Sequence, residues 1–167
     1  MNESLQDFNE LKLIFQGLDF DDICPDCRGQ CCQMPWLAGD EDQLANLFPG
    51  SIKYIGETPF VLDHNECAFL GPEGKCRIYE MRPLDCRLFP LDIIEEQGEY
   101  YWCVFTTCPD WRKMKELFEP LLPLFENKIN AALWDQFLKQ IKVTKEEYAP
   151  YRSGQYVILK KFAGQIA

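Results

Sequence analysis

Residues 24–32 read "CPDCRGQCC" and crowd Cys24, Cys27, Cys31 and Cys32 into one short run. Whether these thiols are disulfide staples, metal ligands or redox nucleophiles determines what kind of fold can surround them. A chain of 167 residues is long enough to bury a core without staples. Dense cysteines in very small secreted domains usually form disulfides, whereas the same density in an intracellular chain points to metal binding or redox work. The start, "MNESLQDFNELKLIFQGLDFDD", shows no basic segment leading into a continuous apolar run and a small-residue cleavage site, so a cytoplasmic, reducing location is expected. No run of about eighteen apolar residues occurs, so no membrane span is expected. The chain has nine cysteines, an odd number that would leave one outside a full disulfide framework.

The formal net charge of -10 argues against nucleic acid as a partner, because phosphate binding calls for a basic face. Acidic residues concentrate before residue 100, and the segment after it carries a slight basic excess. Five of the few basic residues in the first part, Arg28, Lys75, Arg77, Arg82 and Arg87, lie within four positions of a cysteine. Cations so placed lower thiol pKa values and offset the charge of an anionic metal-thiolate centre.

Along the chain, "LQDFNELKLIFQGL" at residues 5–18 repeats apolar residues at helical spacing and predicts an amphipathic helix ending near Gly17. "GDEDQLANLFPG" has an acidic start and a Pro-Gly stop, which predicts a short helix. "IKYI" and "PFVLD" read as strands around a Gly-containing turn. Residues 67–90 read as loop, turn and one helical turn. "LDIIEEQGEYYWCVF" predicts a hairpin turning at Glu96 to Glu99. From Cys108 onward the pattern is helical, interrupted at Pro120 and Pro123. Thr144 and Glu147 stand at capping-box spacing, and "GQYVILKKF" is open between a last strand and a helix.

Cys24 and Cys27 have the spacing at which two thiolates of one tight turn reach a single metal. Consecutive side chains tend to diverge, and one arrangement that uses Cys31 and Cys32 is a pair of neighbouring sites, each taking one of them. Cys67, Cys76 and Cys86 are too far apart in sequence for one turn, and their thiols can converge only through the fold. With Cys108 and the four cysteines of residues 24–32 they make eight thiolates, enough for two four-ligand sites. Cys103 alternates with Tyr101 and Phe105 in the predicted hairpin and reads as a buried structural cysteine. Zinc and iron–sulfur both prefer thiolates, and the irregular spacing with "CPD" at Cys108 leans toward iron–sulfur. His64 at His-x2-Cys spacing is either a fourth ligand or a turn residue, and four adjacent thiols without metal would suit a redox sensor.

Taken together, "CPDCRGQCC", "CAFLGPEGKCRIYEMRPLDCRLFP" and "CPDWRK" resemble the YkgJ-type CxxCxxCC cysteine-cluster family of zinc- or iron-chelating domains, over roughly residues 24–115. The resemblance implies Cys24, Cys27, Cys31, Cys32, Cys67, Cys76, Cys86 and Cys108 as the chelating set. It implies Tyr79, Arg82, Pro83 and Arg87 as accompanying residues, with Pro83 stiffening the turn and the arginines offsetting thiolate charge. Cys103 matches no position of the pattern.

The expected fold is α+β: a small metal-stabilised domain of short strands and cysteine-bearing loops, flanked by an N-terminal helix and C-terminal helices. Residues 1–115 form the expected metal-binding region, and residues 116–167 a helical extension packed on the same core. The expected function is chelation of iron–sulfur or zinc in a cytoplasmic protein. Beneath it stand a redox protein, with Trp36, Tyr79 and Trp102 as candidate pocket walls, and a structural zinc-binding interaction module without catalytic activity.

Overall fold

The structure is a computed structural model that describes residues 41–55, 58–63, 66–82, 86, 88–132, 134, 135, 138 and 156–164. The helix expected at residues 5–18, the cluster at Cys24–Cys32, Trp36, His64, Pro83, Arg87 and the Thr144–Glu147 pair lie outside the described residues.

Helix α1 spans Glu41–Leu47, with its acidic residues at the end where the helix dipole favours them. Phe48 N–H still donates to the Leu44 carbonyl (2.8 Å), and Ser51 then closes the turn by donating from both N–H and Oγ to Phe48 O. Gly50, at φ +82°, lets the chain reverse. It enters β1 (Ile52–Ile55), which pairs antiparallel with β2 (Thr58–Asp63). The far end of β2 pairs in turn with the two-residue β3 (Glu66–Cys67), Leu62 opposite Cys67, giving the order β1-β2-β3. Pro59 stands opposite Tyr54, on the part of β2 bordered by β1 alone. A missing donor is tolerated there.

The second sheet is built on a hairpin, β4 (Leu91–Glu96) and β5 (Glu99–Phe105), whose register runs from Leu91 opposite Val104 to Glu96 opposite Glu99. Gln97 and Gly98 turn it with φ of 56° and 83°, the left-handed pair that a two-residue hairpin loop requires. Glu95 Oε1 accepts from Gly98 N–H (2.9 Å) and steadies the turn. The third strand, β6 (Tyr156–Lys161), pairs antiparallel with β5, so the order is β4-β5-β6. The segment left open by its sequence is therefore a strand, and the helical description of residues 116–167 does not extend to it.

After β5 the chain forms α2 (Trp111–Phe118), a 3-10 turn at Glu119–Leu121 and α3 (Leu122–Lys128). Pro120 and Pro123 fall in the first turns of the last two elements, where a missing N–H costs nothing. They redirect the helical path without breaking either piece. Met114 and Phe118 of α2, with Leu122 and Phe125 of α3, are buried at helical spacing. Leu91, Ile93, Trp102 and Val104 are buried on one face of the sheet. Trp102 is the hub of this core: its ring lies 6.4 Å from Phe125, 5.7 Å from Trp134 and 5.9 Å from Phe162. Helices and small antiparallel sheets thus make a small α+β domain, as expected.

Candidate metal centre

Of the eight candidate ligands, Cys67, Cys76, Cys86 and Cys108 are described, and each carries a thiol rather than a disulfide. Cys67 and Cys76 belong to one short hairpin. Gly71 to Gly74 forms its tip: Gly74 N–H donates to Gly71 O (2.9 Å), Gly71 N–H donates to Lys75 O (2.8 Å), and Gly74 takes φ +75°. A bridge joins Leu70 to Cys76, and Cys67 O accepts from Leu70 N–H (3.0 Å). The interval between the two cysteines, too long for one turn, is closed by this folding back.

Both thiols meet the same apolar cluster. Cys67 is buried with Leu44, Phe69 and Ile78, and Cys76 packs against that group together with Phe48 and Ile52. Phe48 and Phe69 meet edge to face with centroids 4.8 Å apart. Burial away from water suits thiolate ligation, since a metal neutralises charge that an apolar site would otherwise disfavour.

Past Ile78 the chain makes a 3-10 turn at Tyr79–Met81. The Arg82 guanidinium lies 3.8 Å from the centre of the Tyr79 ring, and its Nε donates to Tyr79 O (3.1 Å). Tyr79 and Arg82 thus hold each other in the stretch between Cys76 and Cys86. Trp102, considered as a pocket wall, is a core residue instead.

Cys86 and Cys108 lie at the open end of the β4–β5 hairpin. Cys86, half-buried, leads into it through Phe89 and Pro90; Cys108, buried, leads out. Pro90 O accepts from Phe105 N–H (2.8 Å), the Phe89 and Phe105 rings stack 6.3 Å apart, and Cys108 N–H donates back to Phe105 O (3.4 Å). Cys103 has no solvent exposure and sits inside β5, opposite Asp92 on β4 and Ile158 on β6. Among the described residues no group of three or more His, Cys, Asp or Glu is gathered closely enough to hold a metal ion. The described donors lie in two stretches of the chain, Cys67 and Cys76 before the Tyr79–Arg82 turn and Cys86 and Cys108 after it. Thiols fit zinc and iron better than any harder metal.

Two side chains have roles that their sequence context does not reveal. Arg77, visible only as a cation beside Cys76, hydrogen-bonds across the Cys67–Cys76 hairpin. Glu126, in a helix where a carboxylate reads as a surface residue, is buried: Oε1 accepts from Trp102 Nε1 (2.8 Å) and Ala163 N–H (3.0 Å), and Oε2 from Lys160 Nζ (2.7 Å).

Residues 23–109, just over half of the chain, match the family described as "CxxCxxCC: Putative zinc- or iron-chelating domain". The chain belongs to this family. The CxxCxxCC match covers the first sheet and the β4–β5 hairpin of the second and ends just after Cys108, so every described candidate cysteine falls inside it. No curated protein and no solved structure matches the chain. Among the described residues no helix is long and apolar enough to cross a membrane.

Proposed function

We propose that Cys24, Cys27, Cys31, Cys32, Cys67, Cys76, Cys86 and Cys108 chelate iron in iron–sulfur form, in a cytoplasmic protein with a redox role. The observation that carries this reading is the placement of Cys67 and Cys76 on one hairpin, the first buried in a core cluster and the second packed against it, within a chain of the CxxCxxCC family. Together with Cys24, Cys27, Cys31 and Cys32, the two cysteines of that hairpin and the two flanking the other make eight thiolates, enough for two four-thiolate sites, with the Cys31–Cys32 doublet giving one thiolate to each. Thiols rather than disulfides at the described cysteines suit a reducing compartment. Residues 1–115 are the metal-binding region in this reading. Residues 116–167 pack on the same core in this reading, which the pairing of β6 with β5 favours.

Metal analysis with an optical spectrum on anaerobically purified protein tests the proposal. Iron with acid-labile sulfide and visible absorption that bleaches with dithionite is the expected result. Colourless protein with zinc alone, about two per chain, would replace the redox reading by a structural zinc module without catalytic activity. The net charge of -10 leaves nucleic acid outside the proposed partners.

A further inference from the structure

The hairpin bearing Cys67 and Cys76 is closed at its tip by the Gly71–Gly74 turn, with Cys76 at the first bridge below it, opposite Leu70, and Cys67 three residues further from the tip on the other arm. Arg77 ties the arm of Cys76 to the stretch that follows Cys67. Arg77 N–H donates to Phe69 O (2.8 Å), and Arg77 Nη2 donates to Ala68 O. The Arg77 stem runs beside Gly71, where an added β-carbon would stand 3.6 Å from Arg77 Cγ and 3.0 Å from Lys75 O. The residue that follows Cys76 therefore holds the two carbonyls that follow Cys67. A two-stranded turn of this length is marginal on its own, and without such a tie the two sulfurs would sample many separations.

We propose that Arg77 is a positioning residue for the Cys67–Cys76 donor pair. Its guanidinium, donating from Nη2 to Ala68 O, restricts the separation of the two thiols before a metal arrives, so that less chain ordering has to accompany binding. The inference rests on the chelating reading above. Arg77→Ala leaves the backbone bond to Phe69 in place and removes only the side-chain tie, while Arg77→Lys keeps the charge and loses the planar guanidinium that makes it.

The test is an anaerobic cobalt(II) titration of the full chain after chelator stripping, following the thiolate-to-cobalt charge-transfer band, with apoprotein unfolding followed by tryptophan fluorescence. Wild type should show the band. Arg77→Ala should bind cobalt about 10-fold more weakly with a less intense band, at an unchanged unfolding midpoint. Arg77→Lys should recover only part of the loss. Equal binding by Arg77→Ala, or full recovery by Arg77→Lys, would overturn the positioning role. If Arg77→Ala does not fold, Arg77→Lys decides alone: weaker binding than wild type supports the role and equal binding overturns it. A wild type without the band would overturn the chelating reading and this inference with it, a failure visible before any variant is made.

Discussion

The segment from Glu41 to Met81 and the segment from Leu88 to Phe162 each carry a three-stranded antiparallel sheet, but their interiors are made of different things. In the second, large aromatic and aliphatic side chains close on one another: Trp102, Phe118, Phe125, Leu91, Ile93, Met114 and Leu122 are all fully buried. In the first, the described buried cluster is Leu44, Phe69, Ile78 and Cys67, with Cys76 against it. Among the described residues, the second core has a candidate ligand only at its open end, whereas the first has one as a core member. A change of metal state should therefore reach the first interior directly and the second only at its margin.

Truncating the hub of the aromatic core is the most severe way to challenge this contrast. Trp102→Ala removes the ring shared by Phe125, Trp134 and Phe162 and should cost about 4 kcal/mol. Urea unfolding with and without bound metal should give the same loss. A loss that appears only in the metal-free protein would mean the two interiors are not separable in this way. Next in size is Glu126→Ala. It strips the acceptor from Trp102 Nε1 and Ala163 N–H, while the partly exposed Lys160 can turn to water. The expected cost is about 2–3 kcal/mol, with the amides of β6 exchanging fastest, because Glu126 is what joins that strand to α3.

How much of this was legible beforehand follows the same division. The β4–β5 hairpin could be read because β-branched and aromatic residues flank a Gln-Gly turn, and both the alternation and the turn are local signals. The break between α2 and α3 could be read because proline acts on its own turn. "YVILKK" could not be assigned, since its apolar run suits either period and the choice is made by a vacant edge of β5 far away in sequence. Glu126 was hidden for the same reason, its partners lying at Trp102 and Lys160. At the candidate centre the cysteines themselves were plain, but the folding back that unites Cys67 with Cys76 depends on backbone bonds at Gly71, Gly74 and Arg77 that no spacing rule encodes.

A smaller effect separates structural from chelating cysteines. Cys103→Ser puts a hydroxyl into a site with no solvent exposure and should cost about 1–2 kcal/mol. Its metal content, measured by elemental analysis, should equal wild type. Cys67→Ser should lower metal content. Metal loss in Cys103→Ser comparable to that in Cys67→Ser would add Cys103 to the ligands and blur the contrast between the two interiors.

The smallest effect lies at the tip of the second sheet, far in character from either core. Lys161 donates to Glu99 Oε1, and Tyr101 Oη donates to Glu99 Oε2 (2.7 Å). The Lys161 hydrogen bond first, then that of Tyr101, holds the Glu99 carboxyl below its ordinary value of 4.5, and the Glu99 partner raises Lys161 above 10.5. For a depressed carboxyl the stabilisation is complete above the unfolded value and is lost as pH falls through the folded one; for a raised ammonium it is complete below the unfolded value and is lost as pH rises through the folded one. The contribution is thus flat across neutral pH and fades at both extremes, and full exposure to solvent keeps it small. Comparing wild type with Lys161→Gln by urea unfolding, the small difference seen at neutral pH should shrink as pH falls below the ordinary Glu99 value of 4.5. The acid side is the informative one, because cysteine thiols titrate in the alkaline range and would mix the two regions' responses. A difference that grew on acidification would show that Lys161 does not act through Glu99, and that the tip owes its order to strand pairing alone.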